Sequence, residues 1–165
     1  MPLLRLLLAC FLLILGALPA LAQTASFDDL VRALPEGSYD DRGNVVTAMA
    51  ATGDPRAVEI LEALLDGNLH QLKSNDAVVF VRRSGGADLA RDALDGTEYG
   101  AVPSRGSSKI KVNNGLRRVL RAAIGVLTLH HPDPSRRLAA AEAAFKAPDP
   151  DQTELLAAAL QDETD

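Results

Sequence analysis

The sequence predicts a mainly α domain interrupted by a small β-rich insertion, and three observations lead to that prediction. Apolar residues recur at helical spacing in both the first and the last thirds of the chain. Leu and Ala dominate the composition, whereas aromatic residues make up only 4%, which is typical of packed helices. Helical periodicity is lost between Gly67 and Asn113. We therefore expect about six short helices, with two to four short strands within residues 68–112.

Residues 1–22 are predicted to be a cleavable signal peptide. A short start ending at Arg5 precedes an apolar run, and Ala20-Leu21-Ala22 is typical of a cleavage site before Gln23. The alternatives are lipidation at Cys10 and retention as a membrane anchor, since about 20 apolar residues span a bilayer. We expect residues 23–165 to form one exported, periplasmic domain, associated with the inner membrane only if the segment is retained.

The cysteine content indicates whether disulfides can stabilise the domain, and the net charge indicates which classes of partner it can bind. Cys10 is the only cysteine, so the domain after cleavage would have no disulfide and must be stabilised by packing. The chain has 22 acidic and 17 basic residues, a formal net charge of −5. This acidic balance argues against a nucleic-acid partner, because phosphate binding requires clustered positive charge.

Three helices are predicted before the insertion. Ser26 is the expected N-cap of the first helix, and Pro35 ends it. A turn is expected at Glu36–Asp41. Val45, Val46, Met49 and Ala50 mark a second helix that is expected to end near Gly53, although Gly43 weakens its start.

The third helix is predicted to begin at Asp54 and to end at Gly67. An Asp followed by Pro favours a helix start, because the carboxylate accepts backbone N–H bonds and proline has the φ angle that the first helical position needs. The same Asp-Pro pair recurs at Asp133 and Asp149. We expect Asp54, Asp133 and Asp149 to be structural helix caps.

The insertion is predicted to carry its own small sheet, since more than 40 residues are too many for a bare loop. Ala77–Val81 is its clearest strand, because it is rich in β-branched residues. Leu69–Lys73 is expected to pair with it as a hairpin. Weaker strands are expected on either side of the turn at Asp95–Gly96. The stretch Arg105–Lys109 is expected to be flexible and basic.

The last third of the chain, residues 113–165, is predicted to form three helices joined by two Pro-Asp-Pro turns. In each helix, apolar residues are spaced to lie on one face. Because no helix could bury that face alone, we expect the three to stack with these faces inward. The faces comprise Leu116, Val119, Leu120, Ala123, Ile124 and Leu127 in the first helix, Leu138, Ala141 and Phe145 in the second, and Leu155, Leu156, Ala159 and Leu160 in the third.

Five arginines form the one candidate interaction surface. They allow two interpretations: a solvated outer face balanced by nearby acidic residues, or a docking surface for an acidic partner or for lipid head groups. The residues are Arg117, Arg118 and Arg121 on one predicted helix and Arg136 and Arg137 on the next.

No catalytic, metal or cofactor site is predicted. The histidines are His70, His130 and His131; the last two suit a helix C-terminus, and adjacent positions point apart on a helix. Gly106–Lys109 lacks the spacing of a phosphate loop, so no ATP site is expected. The acidic residues of 149–165 are accounted for as caps and solvated faces. An exported hydrolase is the alternative, and it would need a nucleophile that the sequence does not indicate.

Two kinds of motif carry a resemblance to known families. Gly-Asp-Pro-Arg at Gly53 to Arg56 and the stretch His131 to Ala143 look like parts of HEAT-type repeats. The second kind of motif is the order of the segments, which runs from signal peptide, helix pair, Gly-Asp-Pro-Arg helix and β-rich insertion to Val-Asn-Asn-Gly-Leu-Arg-Arg at Val112 to Arg118, Pro-Asp-Pro helix and the ending Glu163 to Asp165. This order resembles the exported N-terminal region of urea-type ABC transporter permeases. Those permeases belong to the branched-chain amino acid permease class.

This resemblance implies HEAT-like stacked helical hairpins and a non-enzymatic protein-interaction module of a transport system, with any ATPase on a separate subunit. In that family a long set of membrane-spanning helices follows. No apolar run long enough to span a bilayer follows the signal segment here. We therefore expect a fragment, a split gene product or a free-standing relative that does not conduct urea by itself. Membrane contact is expected only through the N-terminal segment or a transporter partner. The alternative is a free-standing periplasmic HEAT-repeat adaptor unrelated to urea transport.

Overall fold

The computed structural model describes residues 25–103, 105–146, 156–157 and 160–161. Five helices and one five-stranded antiparallel sheet lie within these residues. The predicted signal peptide, Asp149 and most of the predicted last helix lie outside them. The elements in chain order are α1 (Phe27–Ala33), α2 (Tyr39–Thr52), α3 (Arg56–Asp66), β1 (Leu69–Leu72), β2 (Val78–Ser84), β3 (Ala87–Asp92), β4 (Glu98–Val102), β5 (Ser107–Lys109), α4 (Asn114–Leu129) and α5 (Pro134–Lys146).

The fold is mixed α/β, so the expected mainly α, HEAT-like stack of hairpins is wrong. The strands lie in the order β4-β3-β2-β1-β5, and every neighbouring pair is antiparallel. Residues 68–112, in which two to four short strands were expected, therefore contain a five-stranded sheet. The first hairpin is confirmed, because Leu69 pairs with Phe80. The stretch Ser107–Lys109 is not the flexible segment expected, since it pairs with β1 and forms one edge of the sheet.

The sheet divides its side chains between two apolar clusters, because successive strand residues point to opposite faces. Leu69 and Val78 join the buried core formed with the helices. Leu72, Val79 and Ala90 lie in a second, smaller cluster. The strands thus contribute to the main core rather than forming an appendage on a helical domain.

The helices close the main core around α4. Its predicted apolar face is confirmed for Leu116, Leu120 and Ala123, which are 2%, 0% and 7% exposed. Residues from α1, α2 and α3 complete the same cluster. They include Val31, Val46, Met49, Ile60, Leu61 and Leu64, all fully buried.

Capping boxes set the starts of the first two helices. Ser26 and Asp29 exchange side-chain and backbone hydrogen bonds at the start of α1, which confirms Ser26 as its N-cap. Ser38 and Asp41 do the same for α2. The helix consequently begins at Tyr39, well before the position expected from the sequence. Two satisfied backbone donors at the helix start outweigh the cost of one internal glycine.

The predicted inward face of α5 is wrong. Leu138 is 63% exposed and Phe145 is 86% exposed, and Ala141 is also exposed. Among the residues of this helix whose burial is described, Arg137, Ala140 and Ala144 are half-buried. Alanine side chains let two helix backbones approach closely, so α5 packs through its small residues and leaves its large apolar ones in solvent. Leu160, from the last predicted helix, is 77% exposed as well.

Candidate interaction surface

An open groove of about 650 Å³ lies between α3 and one face of the sheet. We call it the α3–sheet groove. Its helix side is acidic and its sheet side is basic and partly apolar, because the outward face of α3 carries carboxylates whereas β2 and β3 contribute arginines. The residues that define it are Glu59, Glu62, Ala63 and Asp66 from α3 and Phe80, Arg82, Arg83, Leu89, Arg91 and Glu98 from the sheet.

Arg91 connects the two sides of the groove. Its Nη2 lies 2.5 Å from Glu59 Oε1 on α3, and its guanidinium lies 4.6 Å from the centroid of the Phe80 ring. Phe80 is the residue directly opposite Arg91 in the β2–β3 register, so the two side chains share one face of the sheet. A guanidinium held by both a ring and a carboxylate has little rotational freedom.

The other charges of the groove are available to a ligand. Within residues 25–103 and 105–146, Glu62, Asp66 and Arg82 form no ion pair. Arg83 approaches Asp88 only at 4.0 Å and is 76% exposed, and exposed pairs of this kind are weak. The groove therefore presents unpaired carboxylates opposite an unpaired guanidinium.

The five predicted surface arginines divide into two groups. Arg117 donates from Nη1 to the Leu65 carbonyl at 3.2 Å, and Arg137 donates to the His131 and Pro132 carbonyls at 3.1 and 3.2 Å. These two hold neighbouring segments together. The exposed members of the set are Arg118, Arg121 and Arg136.

Two of the predicted caps lie in the described part of the chain. Asp54 Oδ1 accepts from the Arg56 amide at 2.9 Å, and Asp133 Oδ1 accepts from the Ser135 amide at 2.9 Å. In α3 the N-cap position itself is taken by Pro55, which makes no side-chain cap bond. Asp54 thus serves the helix start from one residue further upstream.

Arg56 is a central contact that the sequence reasoning missed. Its Nη2 lies 2.8 Å from Asp54 Oδ2 and 3.1 Å from Asp28 Oδ1, and Nη1 donates to the Leu94 carbonyl at 3.3 Å. The hydrogen bond from Arg56 holds the pKa of the Asp54 carboxyl below its ordinary value. The sequence Gly-Asp-Pro-Arg contained a signal for this contact, because its arginine follows the aspartate closely enough for the two side chains to form an ion pair.

The side chain of His70 lies next to the hydroxyl of Ser107, a residue far from it in the sequence. Its Nδ1 is 3.0 Å from Ser107 Oγ, across the β1–β5 pairing. Burial lowers the pKa of His70, and the charge of Lys109 lowers it further. Activation of a serine by histidine also needs a group that orients the imidazole, and no carboxylate hydrogen-bonds this ring among the residues described. We interpret the contact as a cross-strand hydrogen bond.

The described segments contain neither a cluster of metal-binding side chains nor a helix that could span a membrane. No group of three or more His, Cys, Asp or Glu there could hold a metal ion. No helix in these segments is both long enough and apolar enough to cross a bilayer. Comparison with known proteins found no matching family model and no significant match to a curated protein or a solved structure.

Proposed function

We propose that this chain is a non-enzymatic, exported binding module of a membrane transport system, comparable in role to the N-terminal region of a urea-type ABC transporter permease. The segment order and the stretch Val112 to Arg118 support the transport part of the proposal. The binding part rests on one observation, the α3–sheet groove with its unpaired charges of both signs.

The groove is suited to a protein segment that carries both positive and negative side chains. Cationic groups of the partner would face Glu62 and Asp66, and an acidic group would face Arg82. Apolar atoms of the partner would lie over Leu89 and the Phe80 ring. Charge complementarity of this kind orients a partner and discriminates against wrong ones. Arg91 is already immobilised, so it loses little conformational freedom on binding.

Site-specific photo-crosslinking tests the proposal. A photoreactive residue replacing Glu62 should crosslink to a subunit of an ABC transporter in cells that produce both proteins. The matched control replaces Arg32, an exposed residue of α1 outside the groove, and should give no such product. Equal crosslinking from both positions would contradict the binding site. A single Glu62 product with a soluble protein outside any transporter would contradict the transport part and support a free-standing adaptor.

Charge reversal gives a second measurement on the same groove. Arg82→Glu should lower the yield of the crosslinked product, because the new carboxylate would repel the acidic partner group that Arg82 is proposed to bind. Arg32→Glu is the control and should leave the complex unchanged. A complex that resists Arg82→Glu would show that the groove does not bind the partner.

A further inference from the structure

β5 is the shortest strand of the described sheet, and within that sheet it pairs only with β1. It has three residues, Ser107–Lys109, and stands at one end of the strand order. Beyond these residues, the Ile110 amide donates to the Leu69 carbonyl at 3.1 Å. On the other side, the Lys73 amide donates to the Gly106 carbonyl at 3.0 Å. Local opening of such a short edge segment costs much less free energy than global unfolding.

A histidine of β1 reaches β5 through its side chain. His70 Nδ1 lies 3.0 Å from Ser107 Oγ, and the histidine is half-buried. On the other side of β1, the residue opposite His70 is the apolar Val79 of β2. A neutral imidazole with its proton on Nε2 accepts the serine hydrogen at Nδ1. An imidazolium at the same place would lose part of its hydration, so the closed pairing favours the neutral ring.

Two further strands bring charged groups to His70. Lys109 is opposite His70 in the β1–β5 register, and the end of its side chain lies next to Gly67, three residues before His70. Burial is the main cause that lowers the pKa of His70, and the charge of Lys109 lowers it further. Asp88 on β3 and a backbone hydrogen bond at Gly67 oppose this in part. The Asp88 carboxylate also lies 4.0 Å from Arg83.

We propose that the pairing of β5 with β1 is a proton-sensitive closure, which opens when His70 takes up a proton. The imidazolium regains its hydration when the two strands separate, and separation also moves it away from Lys109. Opening uncovers the edge of β1, whose backbone donors and acceptors can then pair with an added strand. This inference does not depend on the α3–sheet groove or on the transport assignment.

The direction of the pH dependence follows from the lowered pKa of His70. Above about pH 6.5, the ordinary pKa of histidine, the ring is neutral in both states and the closure has its full stability. As the pH falls from there through the lower pKa of the closed state, the open state takes up the proton first and the closure is lost. The other two histidines, His130 and His131, lie at the end of α4.

Amide hydrogen exchange of the full chain, measured by NMR, tests the closure. After correction for intrinsic exchange rates, the Ile110 and Lys73 amides should lose protection as the pH falls from about 7.5 to about 5.5. The Leu120 amide, in the middle of α4, should keep its protection over the same range. The ring signals of His70 should titrate below about pH 6.5 in the same samples.

Two histidine variants assign the effect. His70→Asn should remove the pH dependence, because asparagine stays neutral and its Oδ1 can still accept from Ser107. His130→Asn is the matched control at an exposed position, and it should leave the pH dependence unchanged. Constant protection at Ile110, an equal loss at Leu120, or a loss that persists in His70→Asn would overturn the proposal. If His70→Asn does not fold, a wild-type His70 pKa at or above about 6.5 still overturns it.

Discussion

The guanidinium of Arg56 lies over the ring of Phe27, 4.6 Å from its centroid. The same guanidinium forms an ion pair with Asp28 from the first turn of α1 and donates a hydrogen bond to the Leu94 carbonyl after β3. One side chain at the start of α3 therefore connects the first helix to the sheet.

Replacing Arg56 should destabilise the fold through this contact. We expect Arg56→Met to lower the free energy of unfolding by about 1–2 kcal/mol, since a partly exposed ion pair and a cation–π contact are each modest. Arg56→Lys should recover only part of the loss, because an ammonium cannot bind both carboxylates and the carbonyl in the same planar geometry. Urea denaturation measures both. Arg32→Met should change stability by less than about 0.5 kcal/mol, and an equal loss there would contradict the role of Arg56.

The Asp54 carboxyl should make stability depend on acid pH. Its pKa is lowered in the folded state by the hydrogen bond from Arg56. The ionised carboxylate therefore stabilises the fold above the unfolded-state pKa of about 3.9, and this contribution is lost as the pH falls through the folded-state pKa. We expect the stability difference between wild type and Asp54→Asn to be constant from about pH 7 to about pH 5 and to shrink below about pH 4. Urea titrations across this range measure it, and a difference that grows in acid would contradict the assignment.

Two glycines test the cost of a left-handed backbone. Gly53 has φ +65° with no atom near an added Cβ, whereas Gly67 has φ +76° and a Cβ there would meet the end of the flexible Lys109 side chain. Gly53→Ala and Gly67→Ala should each cost about 1–2 kcal/mol from the left-handed conformation, because the exposed end of Lys109 can move away from an added methyl group. Lys109→Ala should therefore leave the cost of Gly67→Ala nearly unchanged. Thermal or urea unfolding measures these costs, and a loss at Gly67 that Lys109→Ala abolishes would contradict the backbone as its cause.

The same substitution at two leucines tests which helix faces are buried. Leu120 is fully buried, whereas Leu138 is 63% exposed. Leu120→Ala should lower the free energy of unfolding by about 2–5 kcal/mol, and Leu138→Ala by less than about 0.5 kcal/mol. A large loss at Leu138 would show that this side of α5 is covered in solution.

Local features of this protein were predictable because they depend on neighbouring residues. The Ser26 cap and the inward face of α4 follow from residues within a few positions of each other, and the structure confirms both. The start of α2 was also indicated by the sequence, through the capping box of Ser38 and Asp41. It was not predicted, because the low helix propensity of Gly43 was given more weight than the capping box.

The sequence by itself therefore determined where most helices lie and which side of α4 is buried, because helical spacing is set within one or two turns. Only the tertiary structure decided that β5 joins β1, since Ser107 and Leu72 are distant in the chain and β5 has little strand propensity of its own. It also decided that α5 packs through alanines and leaves Phe145 exposed. Both outcomes depend on contacts between residues far apart in sequence, and the apolar pattern of one segment does not specify which partner it will meet.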